Sequence, residues 1–122
     1  MTSSIVTIVD DDAAVRQAVE ALLRSAGFQV ATFASAEEFL ASPYLGRTGC
    51  LILDLQMPGM RGLELQERLA REGRRIPVVV LTAHGDDEAR SRALAAGAVA
   101  FMPKPFDGDA LVAAVEATLS TP

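Results

Sequence analysis

Short apolar runs alternate with longer amphipathic segments along the chain. Five runs of four or five residues, dominated by apolar side chains, cover residues 5–9, 29–33, 50–53, 78–81 and 99–102. Three of them are nearly unbroken in Val, Ile and Leu, which is typical of parallel strands buried on both faces. The pattern therefore predicts five parallel strands with helices on both sides of the sheet.

The segments between the runs predict the helices. After the first run, apolar residues recur at helical spacing and form one stripe. They are Val15, Ala18, Val19, Leu22, Leu23 and Ala26. Gly27 follows directly, where a left-handed C-terminal cap suits a glycine. The second helix should be short, because Ser35 and Glu38 have the spacing of a capping box and Pro43 stands soon after them.

Three more helices are predicted over residues 62–72, 86–96 and 108–119. The first of these ends at Gly73, followed by two arginines that suit a helix C-terminus. The helix at 86–96 offers mostly alanine and Leu94 to the sheet. Its buried face is therefore thin, and we expect it to be weakly attached and mobile.

Strands and helices that alternate in this way predict one α/β domain over residues 1–122, a doubly wound (βα)5 parallel sheet with right-handed crossovers. A length of 122 residues favours one domain and not two. Ligands of open parallel sheets bind at the carboxyl ends of the strands. The residues that follow the apolar runs are therefore the first to consider for function.

Charge and residue counts exclude several classes of function. Eleven Lys and Arg against sixteen Asp and Glu give a net charge of −5, which disfavours direct binding to nucleic acid or to an anionic membrane. A single cysteine, Cys50, excludes an internal disulfide, and a single histidine, His84, excludes a multi-histidine metal site. No apolar run approaches the roughly 20 residues of a membrane span, and the N-terminus lacks a basic signal sequence, so a cytoplasmic protein is expected.

Polar side chains stand at the ends of four predicted strands. Asp10, Asp11 and Asp12 follow the first run, Asp54 follows the third, Thr82 follows the fourth, and Lys104 stands two residues beyond the fifth. In a parallel sheet these positions meet at one edge. Carboxylates crowded there repel each other unless one holds a proton or a cation lies among them. Oxygen ligands favour Mg²⁺, so the sequence predicts a magnesium pocket.

A carboxylate can also act as a nucleophile in phosphoryl transfer, with a lysine and a hydroxyl binding the transferred oxygens. Asp54, Thr82 and Lys104 supply those three groups. The bond between Lys104 and Pro105 can be cis or trans, and the sequence leaves the isomer open. Gly59 and Gly62 allow a tight backbone beside this pocket.

Four motifs together resemble the signature set of two-component response-regulator receiver domains. They are Ile8-Val9-Asp10-Asp11-Asp12, Leu53-Asp54-Leu55-Gln56-Met57-Pro58-Gly59-Met60, Leu81-Thr82-Ala83 and Lys104-Pro105-Phe106. The segments 82–86 and 96–98 are most similar to the FixJ-like branch of that family. The resemblance implies a flavodoxin-like, CheY-like fold with strand order 2-1-3-4-5.

The resemblance also implies a role for each residue at the sheet edge. Asp54 would accept a phosphoryl group from the phosphohistidine of a sensor histidine kinase. Asp10 and Asp11 would hold Mg²⁺ together with Asp54, and the backbone carbonyl of Gln56 would complete the protein ligands. Lys104 would pair with the phosphoryl group.

A surface switch is implied as well. Thr82 would move to bind the phosphoryl group and Phe101 would change rotamer with it. This would repack the face built from the fourth helix, fifth strand and fifth helix, where a homodimer or another partner binds in the family. Relatives of the FixJ-like branch usually continue into a DNA-binding domain of the LuxR type, which is absent from this chain, and we expect a role in transcriptional regulation.

Other interpretations stay open at this point. A phosphatase of the haloacid-dehalogenase type also uses an aspartyl nucleophile with Mg²⁺, but it needs a second acid where this chain has Gln56. A flavodoxin-like module for flavin or nucleotide is disfavoured by the acidic rim and by the absence of tryptophan. Asp12 is predicted to be a helix N-cap, Cys50 a buried apolar residue without a role, and His84 an exposed loop residue.

Overall fold

Five parallel strands form a central sheet in the order β2-β1-β3-β4-β5 in the computed structural model, which describes residues 4–57, 59–83 and 87–119. The strands are β1 (Ile5–Val9), β2 (Val30–Phe33), β3 (Thr48–Leu53), β4 (Val78–Thr82) and β5 (Ala98–Pro103). Every neighbouring pair is parallel. The predicted fold class and strand order are therefore confirmed.

Helices cover both faces of this sheet. They are α1 (Ala13–Ser25), α2 (Ala36–Leu40), α3 (Gly62–Arg71), α4 (Asp87–Ala95) and α5 (Gly108–Leu119), with a 3-10 turn at Leu45–Arg47. Side chains of α1 and α5 share one buried cluster with the sheet, and side chains of α2, α3 and α4 share the other. None of the helices over the described residues has the length and apolar character of a membrane-spanning segment.

The alternation of side chains along the strands separates the two buried clusters. In β3, Leu51 and Leu53 face the α2-α3-α4 side, whereas Cys50 and Ile52 face the α1-α5 side. This is the period of two expected of a strand, with both faces apolar because helices cover each. Cys50 is fully buried, as predicted.

Side-chain hydrogen bonds cap the N-termini of the first two helices. The carboxylate of Asp12 accepts from the backbone amides of Ala14 and Val15 at 2.9 and 3.3 Å, so the predicted N-cap is confirmed. The hydroxyl of Ser35 accepts from the amide of Glu38 at 3.1 Å. The Glu38 carboxylate accepts from the amide of Ala34 at 3.0 Å, one residue before the position that the capping box predicts.

The buried face of the fourth helix is thin, as its sequence predicts, but the prediction that Leu94 belongs to that face is wrong. Within α4, Ala93 alone is buried and Leu94 is 44% exposed. The predicted mobility of this helix stays a prediction. Residues 84–86, which include His84 and the predicted first residue of the helix, lie outside the described residues.

Candidate functional site

The sheet brings the predicted site residues to its carboxyl edge. Asp10 follows β1 and Asp54 follows β3, and these two strands are neighbours with Val9 opposite Leu53. The backbone amide of Asp54 donates to the carbonyl of Val9 over 3.1 Å, which extends the pairing to the carboxylates. Thr82 ends the adjacent β4. The convergence follows from parallel strands ending at one edge.

Three carboxylates cluster at this edge. One oxygen each of Asp10, Asp11 and Asp54 lies within 4.8 Å of the others. Asp10 and Asp54 are 2% and 5% exposed, whereas Asp11 is exposed. A set of hard oxygen donors with one open side fits a divalent cation such as Mg²⁺, which keeps several of its waters. The cluster can therefore bind a metal ion.

Lys104 reaches the same cluster from the loop after β5. Its ammonium Nζ lies 2.8 Å from Oδ2 of Asp10 and 3.1 Å from Oδ2 of Asp54. Its backbone amide donates to the carbonyl of Thr82 over 3.0 Å, which ties the loop to the end of β4. The peptide bond between Lys104 and Pro105 is cis. The predicted meeting of Lys104 with the carboxylates is present in the structure.

Burial and the neighbouring charges shift the pKa values of Asp10 and Lys104. Burial raises the pKa of Asp10, and the nearby charge of Asp54 adds to this, although the ammonium of Lys104 and the amide of Asp12 partly oppose it. Burial acts against the charged form of Lys104, but its hydrogen bonds to Asp10 and Asp54 outweigh burial and raise the pKa of the ammonium. The lysine therefore stays charged at neutral pH.

Each carboxylate oxygen of Asp54 accepts a hydrogen bond. Its Oδ1 accepts from the backbone amide of Gln56 over 3.0 Å, and its Oδ2 accepts from the Lys104 ammonium. The Gln56 side chain is exposed. The orientation of the carboxylate is therefore set by a backbone donor two residues ahead and by a cation from another strand end. The predicted role of the Gln56 carbonyl as a metal ligand stays a prediction.

The residues of the predicted switch lie on neighbouring strands. Thr82 is 2% exposed at the end of β4. Phe101, in β5, lies opposite Val80 of β4. Its side chain is partly buried and packs against the cluster on the α2-α3-α4 side. A coupled movement of Thr82 and Phe101 stays a prediction.

Gly62, at the start of α3, leaves room for the backbone that carries Asp54. A Cβ at this position would overlap the carbonyl oxygen of Asp54 and would lie 2.8 Å from the Cα of Leu55. The predicted tight backbone at Gly62 is therefore confirmed. A residue with a side chain here would displace the segment that carries Asp54.

Two residues that sequence reasoning missed support the site. The guanidinium of Arg16 in α1 donates from Nη1 to the carbonyl of Asp10 over 2.8 Å. The carboxylate of Glu37 in α2 accepts from the amide of Met60 over 3.1 Å, in the loop between β3 and α3. Neither Arg16 nor Glu37 belongs to the motifs that predict the site. Glu37 lies between Ser35 and Glu38, whose spacing predicts only a capping box.

Comparison with known proteins agrees with this geometry. The chain matches the response regulator receiver domain family over residues 6–116. It is 43% identical over 117 residues to the response regulator protein TodT of Pseudomonas putida, covering 96% of this chain and 52% of TodT. The chain thus spans about half the length of the curated relatives it matches.

Solved structures show the same likeness. The structure is similar to the response regulator StyR with a TM-score of 0.88 and 50% identity, covering 96% of this chain and 59% of StyR. It is similar to the structure of FixJ-N with a TM-score of 0.87 and 39% identity, covering 100% of this chain and 98% of FixJ-N. The fold, the carboxyl-edge cluster and these matches lead to one conclusion: this chain belongs to the response regulator receiver domain family, the signalling domains of two-component systems.

Proposed function

We propose that Asp54 accepts a phosphoryl group from the phosphohistidine of a sensor histidine kinase. An oxygen of the Asp54 carboxylate attacks phosphorus, the bond from phosphorus to the histidine nitrogen breaks, and the imidazole leaves. Phosphorylation on aspartate is general for the family. The observation that carries the proposal is the Lys104 ammonium held between the Asp10 and Asp54 carboxylates at the strand ends.

The acidic cluster is proposed to hold Mg²⁺. Asp10, Asp11 and Asp54 offer carboxylate oxygens within 4.8 Å of one another, and the backbone carbonyl of Gln56 would be the fourth protein ligand. When bound, the ion offsets the negative charge of the incoming phosphoryl group. Asp11 is the exposed member of the set, so it would reach the ion without leaving solvent.

Two further side chains are proposed to bind the phosphoryl oxygens. Lys104 already contacts Oδ2 of Asp54 at 3.1 Å, so its ammonium would pair with a phosphoryl group on that carboxylate. Thr82, which ends the neighbouring strand, would donate its hydroxyl to the same group. Together they would stabilise the charge that accumulates as the bond to Asp54 forms.

The output is proposed to be a changed surface and not a chemical product. Movement of Thr82 and Phe101 would repack the α4-β5-α5 face, where the chain would form a homodimer or control an output domain. The domain, 1–122, would catalyse its own phosphorylation and dephosphorylation and act on no external metabolite. In keeping with the family, it would act in the cytoplasm and regulate transcription through a DNA-binding domain outside this chain, without contacting nucleic acid itself.

Intact-mass spectrometry tests the proposal. Incubation with acetyl phosphate and Mg²⁺ should add one phosphoryl group, roughly 80 Da on the scale of covalent phosphorylation. Asp54→Asn should abolish the increment, whereas Asp12→Asn, at a neighbouring helix cap, should retain it. An unmodified wild type, or an increment that survives Asp54→Asn, would refute the proposed phosphoacceptor.

A further inference from the structure

A buried hydrogen bond from α3 anchors α4. The side-chain amide Nε2 of Gln66 donates to the carbonyl oxygen of Ala93 over 2.7 Å. Gln66 is 1% exposed, and Ala93 is the buried residue of α4. A hydrogen bond shielded from water is electrostatically stronger than an exposed one. The helix with the thinnest apolar face is therefore held at its buried point by a polar contact.

This bond adds a partner for a carbonyl at the carboxyl end of α4. The last four carbonyls of a helix have no partner within the helix itself. In α4 the carbonyls of Arg92 and Leu94 accept backbone amides from the residues that follow the helix, at 3.0 and 3.1 Å. Gln66 supplies the donor for the carbonyl of Ala93, which lies between them. A side chain of α3 thus acts as part of the C-terminal cap of α4.

The described ion pair at this end of α4 restrains the helix weakly. Arg92 forms an ion pair with Glu67 of α3 at 3.2 Å, but both side chains are more than a third exposed, and such surface pairs contribute little. A cleft of about 510 Å³ borders the carboxyl end of α4 and is lined in part by Gln66, Ala96 and Gly97. The residues that follow α4 therefore border open space on that side.

The same glutamine also limits how firmly α4 is held. Its Oε1 is buried and has no hydrogen-bond partner among the residues that the structure describes. An unpaired buried acceptor destabilises the arrangement in which it occurs. Gln66 therefore contributes one favourable and one unfavourable interaction to the arrangement of α4 seen here.

We propose that Gln66 is a positioning residue that sets the resting place of α4 and thereby the equilibrium between the resting and activated forms of the α4-β5-α5 face. This inference rests on the proposed function. α4 begins five residues after Thr82, so the helix and the proposed phosphoryl-binding threonine are close neighbours along the chain. Weakening the bond from Gln66 to Ala93 favours the activated form without touching the phosphorylation site.

The test uses Gln66→Met, which has nearly the same shape but neither the donor nor the unpaired acceptor. The variant removes the unpaired Oε1 but leaves the carbonyl of Ala93 without its donor, so these two costs offset and the net loss is one hydrogen bond. Hydrogen exchange at α4 amides should therefore accelerate about fivefold in the resting protein, the factor that corresponds to one typical hydrogen bond. Affinity for beryllofluoride with Mg²⁺, a mimic of the phosphoryl group, should increase by about the same factor, because a larger fraction of the protein is already competent to bind it. A merely structural role would change exchange and leave that affinity unaltered.

Two matched variants serve as controls. Gln17→Met makes the same replacement on the exposed surface of α1, and Glu67→Gln removes the exposed ion pair to α4. Both should behave as the wild type. If Gln66→Met matches them in exchange or in beryllofluoride affinity while the wild type is phosphorylated normally, the role of Gln66 is refuted. A wild type that neither gains mass nor binds beryllofluoride refutes the proposed function and the inference together.

The wild type allows a second measurement that needs no variant. In the resting protein the side-chain amide protons of Gln66 should exchange slowly and resonate away from exposed glutamines in NMR spectra. On addition of beryllofluoride and Mg²⁺ their resonances should shift and their exchange accelerate, because the bond to Ala93 is weakened. Unchanged Gln66 resonances alongside shifted α4 amides would overturn the proposal.

Discussion

The ammonium of Lys104 lies closer to the carboxylate of Asp10, at 2.8 Å, than to that of Asp54, at 3.1 Å. Asp10 is the more buried of the two acids. The lysine therefore balances the charge of the buried metal-ligand candidate as well as that of the proposed phosphoacceptor. A cation that enters the cluster would compete with this ammonium for the same oxygens. Removing the ammonium should therefore have opposite effects on the stability of the metal-free protein and on its affinity for a metal.

Replacing Lys104 should weaken the metal-free protein and strengthen metal binding. Lys104→Met leaves two nearly buried carboxylates without their cation, and the free energy of unfolding should fall by about 3 kcal/mol in chelator. The same change removes a positive charge from beside the metal ligands, so the Mg²⁺ dissociation constant should decrease roughly tenfold. Urea unfolding in chelator and magnesium titrations of the melting temperature measure the two effects.

Arg90→Met is the control for lost charge, because Arg90 is exposed on α4. It should change neither quantity appreciably. Magnesium affinity that falls in Lys104→Met would show that the ammonium does not compete with the metal.

Magnesium should raise the melting temperature of the wild type by mass action, since the proposed ion site is assembled only in the folded chain. Asp11→Asn removes the exposed ligand and should abolish the rise. Asp12→Ala removes only the cap of α1, so it should lower the melting temperature equally with and without Mg²⁺, by the equivalent of about 1 kcal/mol. Calorimetry or dye-based melting is suitable, as the chain contains no tryptophan. An intact response in Asp11→Asn would remove that residue from the metal site.

A side chain at position 62 should damage the site through the backbone. Gly62→Ala places a methyl group against the carbonyl of Asp54 and 2.8 Å from the Cα of Leu55, and such overpacking costs about 1–3 kcal/mol of stability. Because the displaced segment carries Asp54, the proposed phosphoacceptor, phosphorylation by acetyl phosphate should slow as well. Gly46→Ala is the matched control, since no atom lies within 4 Å of a Cβ there. Equal phosphorylation rates in the two variants would contradict the steric argument.

The buried thiol gives a pH dependence of known sign. Burial raises the pKa of Cys50 above its ordinary value of 9.0. The unfolded chain therefore releases this proton at a lower pH than the folded protein, and stability contributed by the neutral thiol is lost as the pH rises past 9. Between pH 8 and pH 10 the wild type should lose about 1 kcal/mol more unfolding free energy than Cys50→Ala.

Paired urea titrations at the two pH values give that difference, and the other titrating groups cancel between the two proteins. A thiol reagent at pH 8 should also leave the folded protein unmodified and react fully in denaturant. Rapid labelling of the folded protein would show that Cys50 is accessible.

Much of the architecture follows from local pattern. The apolar runs, the stripe around Val19 and the cap at Asp12 depend on neighbours a few residues away, so periodicity and side-chain type predict them well. The ends of the strands are predicted less accurately than their positions along the chain. β3 begins at Thr48, two residues before the predicted start, because Thr48 pairs with Ile5 and its hydroxyl lies 2.7 Å from that of Thr7. Such cross-strand partners are invisible in the β3 segment alone.

From the sequence alone it was possible to determine which acids, threonine and lysine stand at the strand ends, and a parallel sheet necessarily brings those ends to one edge. Only the tertiary structure decided which atoms meet: Arg16 with the carbonyl of Asp10, Glu37 with the amide of Met60, and Gln66 with the carbonyl of Ala93. These contacts depend on how closely packed elements approach one another. That distance is set by the whole core and leaves no repeating signal in a short stretch of chain.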